Sequence, residues 1–345
     1  MQGREGAGGP AGPPRVPAQG AGYPVHRPVL LAEAVASLRP GRGGTFVDAT
    51  LGLGGHAEGL LLASPRVRVV GIDRDPEALR IARERLARFG DRLVTVEGRH
   101  EDLARHLDAL GIPRVEGVLA DLGVSSMQLD VAGRGFSFRH DGPLDMRMGR
   151  EGPTAADLVN TLSRNELGRI FREFGEERMA DRIAREVVKV RETQPVSTTG
   201  EMRELVRRVI GSHREPQKDP ATRVFQALRI ATNRELVDLE RFLDDSIERL
   251  SLGSTLTVLS YHSLEDRIVK NVFARHTAGC TCPPSFPVCV CSRRRVMELV
   301  GRKPVRASLE EVAGNPRSRS AKMRTIERVA ETEESVEVPE GSPPR

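Results

Sequence analysis

Between Thr45 and Asp121 short β-type runs alternate strictly with helix-type runs, and no other feature of the chain constrains its fold as much. The periodicity predicts strands at Thr45 to Ala49, Val67 to Ile72, Leu93 to Val96 and Val115 to Ala120. Between them it predicts a turn at Gly52 to Gly55 and helices at His56 to Ala63, Asp75 to Phe89 and Glu101 to Leu110, the second with a proline in its first turn. Strands that always return through a helix need right-handed crossovers, which give a parallel sheet with helices on both faces. The fold class expected is therefore α/β and Rossmann-like.

Ligands of such sheets sit beyond the carboxyl ends of the strands, so the residues just after each strand carry the chemistry. Three of those ends bear a carboxylate: Asp48, Asp73 and Asp121. Gly52, Gly54 and Gly55 allow a tight turn and close approach of a ligand to the backbone, and the helix that follows favours negative charge at its N-terminus. Asp73, about 20 residues beyond the glycines, is placed to accept hydrogen bonds from two ribose hydroxyls. Gly52-x-Gly54-x-x-Ala57 also fits a dinucleotide fingerprint, so a dehydrogenase binding NAD competes. The carboxylate four residues before Gly52 favours a ligand with an ammonium group instead, which methionine has and NAD lacks.

After Asp121 the alternation stops. A loop-rich stretch to about Arg150 leads into helix-type segments at Ala155 to Phe174, Glu177 to Glu192, Thr199 to Ile210 and Pro220 to Leu250. Strand patterning resumes at Thr255 to Tyr261, Ser263-Leu-Glu-Asp266 gives a capping-box helix start, and Lys322 to Val329 reads as a last strand. The expected organisation is an α/β domain at residues 23–139 and 241–330, interrupted by a helical insert for substrate recognition at 140–240. Residues 1–22, rich in Gly, Pro and Ala, and 331–345, acidic and Pro-rich, read as disordered tails.

Composition narrows the setting. The net charge of +5 suits a polyanionic partner without establishing one. Met1 to Pro14 has no apolar core for a signal peptide and no run approaches the roughly 20 apolar residues of a membrane span, so the cytoplasm is expected. The four cysteines, Cys280, Cys282, Cys289 and Cys291, crowd one Pro-rich window. They could hold a structural zinc or remain free or redox-sensitive thiols, and catalysis needs no metal there.

Longer motifs then become distinctive: Gly54-Gly-His56, Asp73-Arg-Asp-Pro76, Asp121-Leu-Gly-Val-Ser-Ser126, Arg134-Gly-Phe-Ser-Phe138, Asp141 to Met148, Gly175-Glu-Glu-Arg178, Pro220 to Gln226 and His262-Ser-Leu-Glu-Asp-Arg267. From about Val25 to Arg328 the chain resembles the bacterial ribosomal RNA small-subunit methyltransferase H family. The resemblance implies a class I S-adenosylmethionine methyltransferase sheet and N4-methylation of one cytosine in the decoding region of 16S ribosomal RNA, on the small subunit. It implies that Gly54, Gly55, His56, Asp73, Asp121 and Gln128 contact S-adenosyl-L-methionine. A further donor position, usually aromatic, falls on His100, and Met127 replaces a common proline. A non-catalytic RNA-binding assembly factor is a third reading, and the oligomeric state is open, a homodimer included.

Cytosine N4 is a poor nucleophile, because its lone pair is delocalised into the ring, so its amine must be oriented by hydrogen-bond acceptors. Asp121, Ser125 and Ser126 are the expected orienting groups, with His262, Asp145 and Asp266 further out; His262 could equally serve as a helix cap. The base must leave its stack, and Phe136, Phe138 and Tyr261 are the candidate stacking faces, or else ordinary core. Arg182, Arg185, Lys189, Arg191, Arg203, Arg207, Arg208, Arg214, Arg223 and Arg229, with Arg293 to Arg295 and Arg317 to Arg324, are candidate phosphate contacts or solvated ion pairs.

Overall fold

The computed structural model describes residues 27–149, 151–211, 219–278 and 295–331. The cysteine cluster, Arg214, Arg293 and Arg294 lie outside the described residues, as do the expected N-terminal tail and all but the first residue of the expected acidic tail. No helix among the described residues is long and apolar enough to cross a membrane.

After α1 (Leu31–Leu38), strand and helix alternate as β1 (Gly44–Asp48), α2 (Gly55–Ala63), β2 (Val67–Asp73), α3 (Pro76–Leu86), β3 (Leu93–Glu97), α4 (Leu103–Ala109) and β4 (Val115–Asp121). The short α5 (Ser126–Asp130) leads into α6 (Ala155–Thr161), α7 (Arg164–Glu173), α8 (Ala180–Arg191), α9 (Thr199–Ile210) and α10 (Thr222–Asn233). The chain then returns through α11 (Leu239–Glu248), β5 (Leu250–Ser260), α12 (Ser263–Thr277), β6 (Met297–Leu299), α13 (Leu309–Gly314) and β7 (Lys322–Arg328). Seven strands form one sheet in the order β3-β2-β1-β4-β5-β7-β6. β1 to β5 pair in parallel, while β7 runs antiparallel to both β5 and β6. The strand order reverses beside β1, the switch point where α/β sheets bind ligands.

One buried cluster packs Phe46, Val69 and Leu119 of the sheet against α1, α2 and α3; another packs Val70, Val118 and Val258 against α4, α11 and α12. Buried on both faces, the parallel strands carry near-continuous apolar runs. A third cluster, Phe136 to Leu228, belongs to the helices between β4 and β5. Phe136 and Phe138 are part of it: Phe136 is buried, and Phe138 meets Phe225 edge-on at 4.8 Å. Neither lines the cavity beyond the strand ends, so of the two expected readings, base stacking or core, these two follow the core.

Several boundaries differ from the sequence expectation for identifiable reasons. The single helix expected at 155–174 breaks because Ser163 and Glu166 form a capping box that starts α7 anew. The helix expected at 220–250 breaks between α10 and α11, where Arg234 and Asp238 take left-handed conformations (φ 54° and 65°). There Glu235 pairs with Arg229 through both carboxylate oxygens, at 2.9 and 2.7 Å. The cap of α12 is His262 rather than Ser263. β6 and α1 were not expected; β6 has three residues, too few for a visible alternation.

The helical unit is fastened to the sheet through Asn233. Its Oδ1 accepts the Met148 N–H at 2.8 Å, and its Nδ2 donates to the carbonyls of Met146 and Arg229 at 2.7 and 2.9 Å. Arg74, beyond β2, donates to the Asn233 carbonyl at 3.2 Å. Asn233→Ala strands a buried donor and a buried acceptor, so it is expected to lower the unfolding free energy by about 2–3 kcal/mol in urea titration. A change below about 0.5 kcal/mol, the scale of a neutral surface substitution, would show that this fastening is dispensable.

Candidate active site

The ends of β1, β2 and β4 open into a cavity of about 500 Å³, within the usual size of a small-molecule site. Its wall includes Gly52, Gly55, His56, Asp73, His100, Asp121, Ser125, Gln128 and Tyr261. Gly54 is not in the wall; it is the left-handed N-cap of α2. The glycines divide their work. A Cβ on Gly54 would stand 2.7 Å from Leu86 Cδ1 and one on Gly55 2.3 Å from Pro28 Cγ, so both are packing requirements. Gly52, at φ 50°, would bring a Cβ near only the Thr50 carbonyl, at 3.9 Å, and its positive φ favours glycine.

Two backbone donors fix Asp73: Gly52 N–H reaches Oδ2 at 2.7 Å and Asp75 N–H reaches Oδ1 at 2.9 Å. Burial raises its pKa. Each oxygen keeps lone-pair capacity for a further donor, as a ribose diol requires. Asp75 caps α3 by accepting from Glu77 N–H, and its Oδ2 accepts from Gln128 Nε2 at 3.3 Å and Arg134 Nη1 at 2.8 Å. Gln128 in turn accepts the Ser125 N–H at 3.0 Å, while its own N–H donates to the Ser125 hydroxyl at 3.3 Å. Gln128 thus orders the Ser125 loop as well as lining the cavity. Ser126 opens α5 beside it.

His100 sits past β3 with its ring edge-on to Phe242 at 4.8 Å. Burial lowers its pKa, and its Nε2 has no partner among the described residues. His100 is one of the residues of the cavity wall.

Asp121 Oδ1 accepts the Tyr261 hydroxyl at 2.6 Å, and the Asp121 N–H donates to Thr50 Oγ1 at 2.7 Å. Its Oδ2 lies 3.8 Å from His56 Nδ1. His56 Nε2 lies 3.0 Å from the Val29 carbonyl, which can only accept, so the proton of a neutral ring sits on Nε2. Asp121 Oδ2 is thus left facing His56 Nδ1 at 3.8 Å, beyond hydrogen-bond distance. Burial raises the Asp121 pKa against the pull of His56 and the Tyr261 hydroxyl, and burial together with Asp121 holds the Tyr261 phenol protonated. With Asp73 and His100 these residues fit S-adenosyl-L-methionine.

His262 stands outside the wall. Its Nδ1 accepts the Glu265 N–H at 3.4 Å and its Nε2 lies 3.0 Å from Glu265 Oε1. Ligand atoms of Glu235, His262 and Glu265 come within 4.8 Å of one another. Arg229 already forks onto Glu235, and His262 Nδ1 is taken up in capping α12. Asp145 and Asp266, expected as outer groups, face Arg147 and the Lys322–Arg324 pair respectively and stay out of the cavity. The sequence reading missed Arg27 to Val29, Asn315 and Pro316, and named Arg317 only as a candidate phosphate contact; together they complete the rim. The run Asn315-Pro-Arg before the last strand was the available signal.

Asp48 corrects another expectation. It is 1% exposed, lies beneath the cavity wall and leaves Oδ2 without a partner among the described residues, so it does not touch a ligand's ammonium directly. Burial pushes its pKa up to about 6. The folded protein therefore holds this proton more tightly than the unfolded chain, whose Asp titrates near about 3.9. Stability is undiminished below that value and falls as pH rises through about 6. Asp48→Asn is expected to add up to about 3 kcal/mol of unfolding free energy at pH 8 and almost nothing at pH 4. An equal gain at both pH values would show that ionisation is not its source.

Residues 24–329 match the MraW methylase family. A protein from Symbiobacterium thermophilum named ribosomal RNA small subunit methyltransferase H is 50% identical over 313 residues, 90% of this chain and 98% of that one. One of the same name from Pelobacter propionicus is 51% identical over 312 residues, 88% of this chain and 98% of that one. A solved rRNA methylase from Streptococcus thermophilus aligns remotely, with 11% identity and a TM-score of 0.39 over 89% of this chain and 100% of that one. The sequence matches decide between a methyl donor and NAD in favour of the methyl donor, because they run through every strand end of the cavity. The chain belongs to the MraW methylase family.

Proposed function

We propose that this protein transfers a methyl group from S-adenosyl-L-methionine to N4 of one cytosine in the decoding region of 16S ribosomal RNA, on the small ribosomal subunit in the cytoplasm. The observation that carries the reading is Asp121, a cavity carboxylate with one oxygen fixed by Tyr261 and the other left facing His56. The bound donor supplies an electrophilic methyl on a sulfonium.

The protein's own part is orientation and proton handling. Asp121 accepts an N–H of the cytosine amine, which turns the nitrogen toward the methyl and excludes unproductive poses. Its burial-raised pKa makes it a better acceptor for the proton that the amine sheds. Ser125, whose hydroxyl accepts from the Gln128 N–H, keeps its own O–H to offer the base, and Ser126 lies next to it. Tyr261 is the aromatic residue of the wall beside them. His262 acts through Glu265, whose Oε2 accepts the Tyr261 N–H at 2.8 Å, and so is a positioning residue.

The helical unit would recognise the subunit. Many of its cations are already engaged: Arg203 and Arg207 with Asp219, Arg229 with Glu235, Arg191 with the Val159 carbonyl. Arg182, Arg185 and Lys189 instead fall on one exposed face of α8 at helical spacing, the arrangement that meets a row of phosphates.

Asp121→Ala is expected to lower methyl transfer at least about a hundredfold and Tyr261→Phe about five- to tenfold. The measurement is N4-methylcytidine formed on unmodified small subunits, read by mass spectrometry; wild-type turnover in Asp121→Ala would remove its role. Replacing Arg182, Arg185 and Lys189 together with Gln is expected to weaken subunit binding and to flatten its salt dependence by about two counterions. An unchanged salt slope would place the docking face elsewhere.

A further inference from the structure

The rim of the cavity is closed by a strap from the far end of the chain. Glu311 of α13 accepts the Leu30 N–H at 2.8 Å, and Asn315 Nδ2 donates to the Arg27 carbonyl at 3.0 Å. The 3-10 turn that follows, Pro316–Ser320, carries Arg317 to α5, where its Nη2 donates to Asp130 Oδ1 at 2.5 Å. That ion pair uses one arm of the guanidinium. The other arm, Nη1, is buried without a hydrogen-bond partner among the described residues, and Arg317 belongs to the cavity wall.

A buried donor on a permanently charged group is costly to leave unpaired, and native proteins seldom do so without a function for it. The planar fork of a guanidinium is matched best by an oxyanion. Arg27, on the same rim, adds positive charge and favours an anion over a neutral carbonyl. A tether to α5 would need only the arm that Asp130 already takes.

We propose that Arg317 is an oxyanion-binding residue of the cavity rim, with Nη1 as the donor. This rests on the methyl-transfer reading, which supplies two oxyanions to that rim: the carboxylate of the donor's methionine and a phosphodiester flanking the target cytosine. Either one satisfies Nη1, and the two differ in which ligand loses affinity.

The test compares wild type, Arg317→Gln, Arg317→Lys and Asp130→Asn, all full-length. Calorimetry measures S-adenosylhomocysteine and 5′-methylthioadenosine, which lacks the amino acid moiety, and a transfer assay gives KM for small subunits. Arg317→Gln is expected to weaken one ligand by about tenfold or more. A loss for S-adenosylhomocysteine but not for methylthioadenosine identifies the donor carboxylate. A raised subunit KM with unchanged S-adenosylhomocysteine binding identifies a phosphodiester. Arg317→Lys keeps the charge and is expected to recover part of the loss; it also stands in if Arg317→Gln fails to fold. Asp130→Asn removes the ion pair but not the oxyanion contact and is expected to leave both measurements within about twofold. The proposal is overturned if Arg317→Gln changes neither ligand, or if Asp130→Asn reproduces its effect, since Arg317 would then be a tether. Wild-type protein that binds no S-adenosylhomocysteine and transfers no methyl would instead overturn the methyl-transfer reading itself.

Discussion

A single relay of polar contacts joins the glycine turn to the helical unit, and the rest of the site depends on it. Gly52 is held by Asp73, Asp73 also holds the backbone of Asp75, and the Asp75 carboxylate gathers Gln128 and Arg134. Arg134 then binds the carbonyls of Arg147 and Met148 at 3.0 and 2.9 Å, and Met148 is bound in turn by Asn233 at the end of α10. Groups this buried are costly to leave half-satisfied, so the network is rigid where it is complete. The cavity and the helical unit are thereby set in one frame.

The unsatisfied groups around that network are the informative ones. Among the described residues His100 Nε2 and Arg317 Nη1 both lack hydrogen-bond partners, and both residues belong to the cavity wall. His56 Nδ1 and Asp121 Oδ2 face each other at 3.8 Å, beyond hydrogen-bond distance. Asp48 differs, because its oxygen without a partner among the described residues lies under the wall.

The division between core and site also explains the scarcity of aromatic faces. Phe136 and Phe138 follow a motif that resembles a binding segment, yet both are spent on the helical core. Tyr261 is left at the cavity because β5 ends beside β4, which brings its hydroxyl to Asp121. Tyr261 and the Asp121 carboxylate are therefore coupled through one hydrogen bond rather than being independent features.

The sequence by itself determined the order of strands and helices through β4, the carboxylates at their ends and the glycine turn, because these follow from local periodicity and from the backbone freedom of glycine. It also carried the family, in motifs spread along nearly the whole chain. Only the tertiary structure decided which groups share the cavity. Whether Asp48 reaches a ligand, whether His262 enters the site or caps a helix, and which glycine faces the donor all depend on side-chain direction and on neighbours far apart in sequence. The same holds for Arg317: its partner Asp130 is 187 residues away, and β7 pairing against β5 brings the preceding strap back over the cavity. Local pattern fixes what an element is, but burial and long-range pairing fix what its side chains meet.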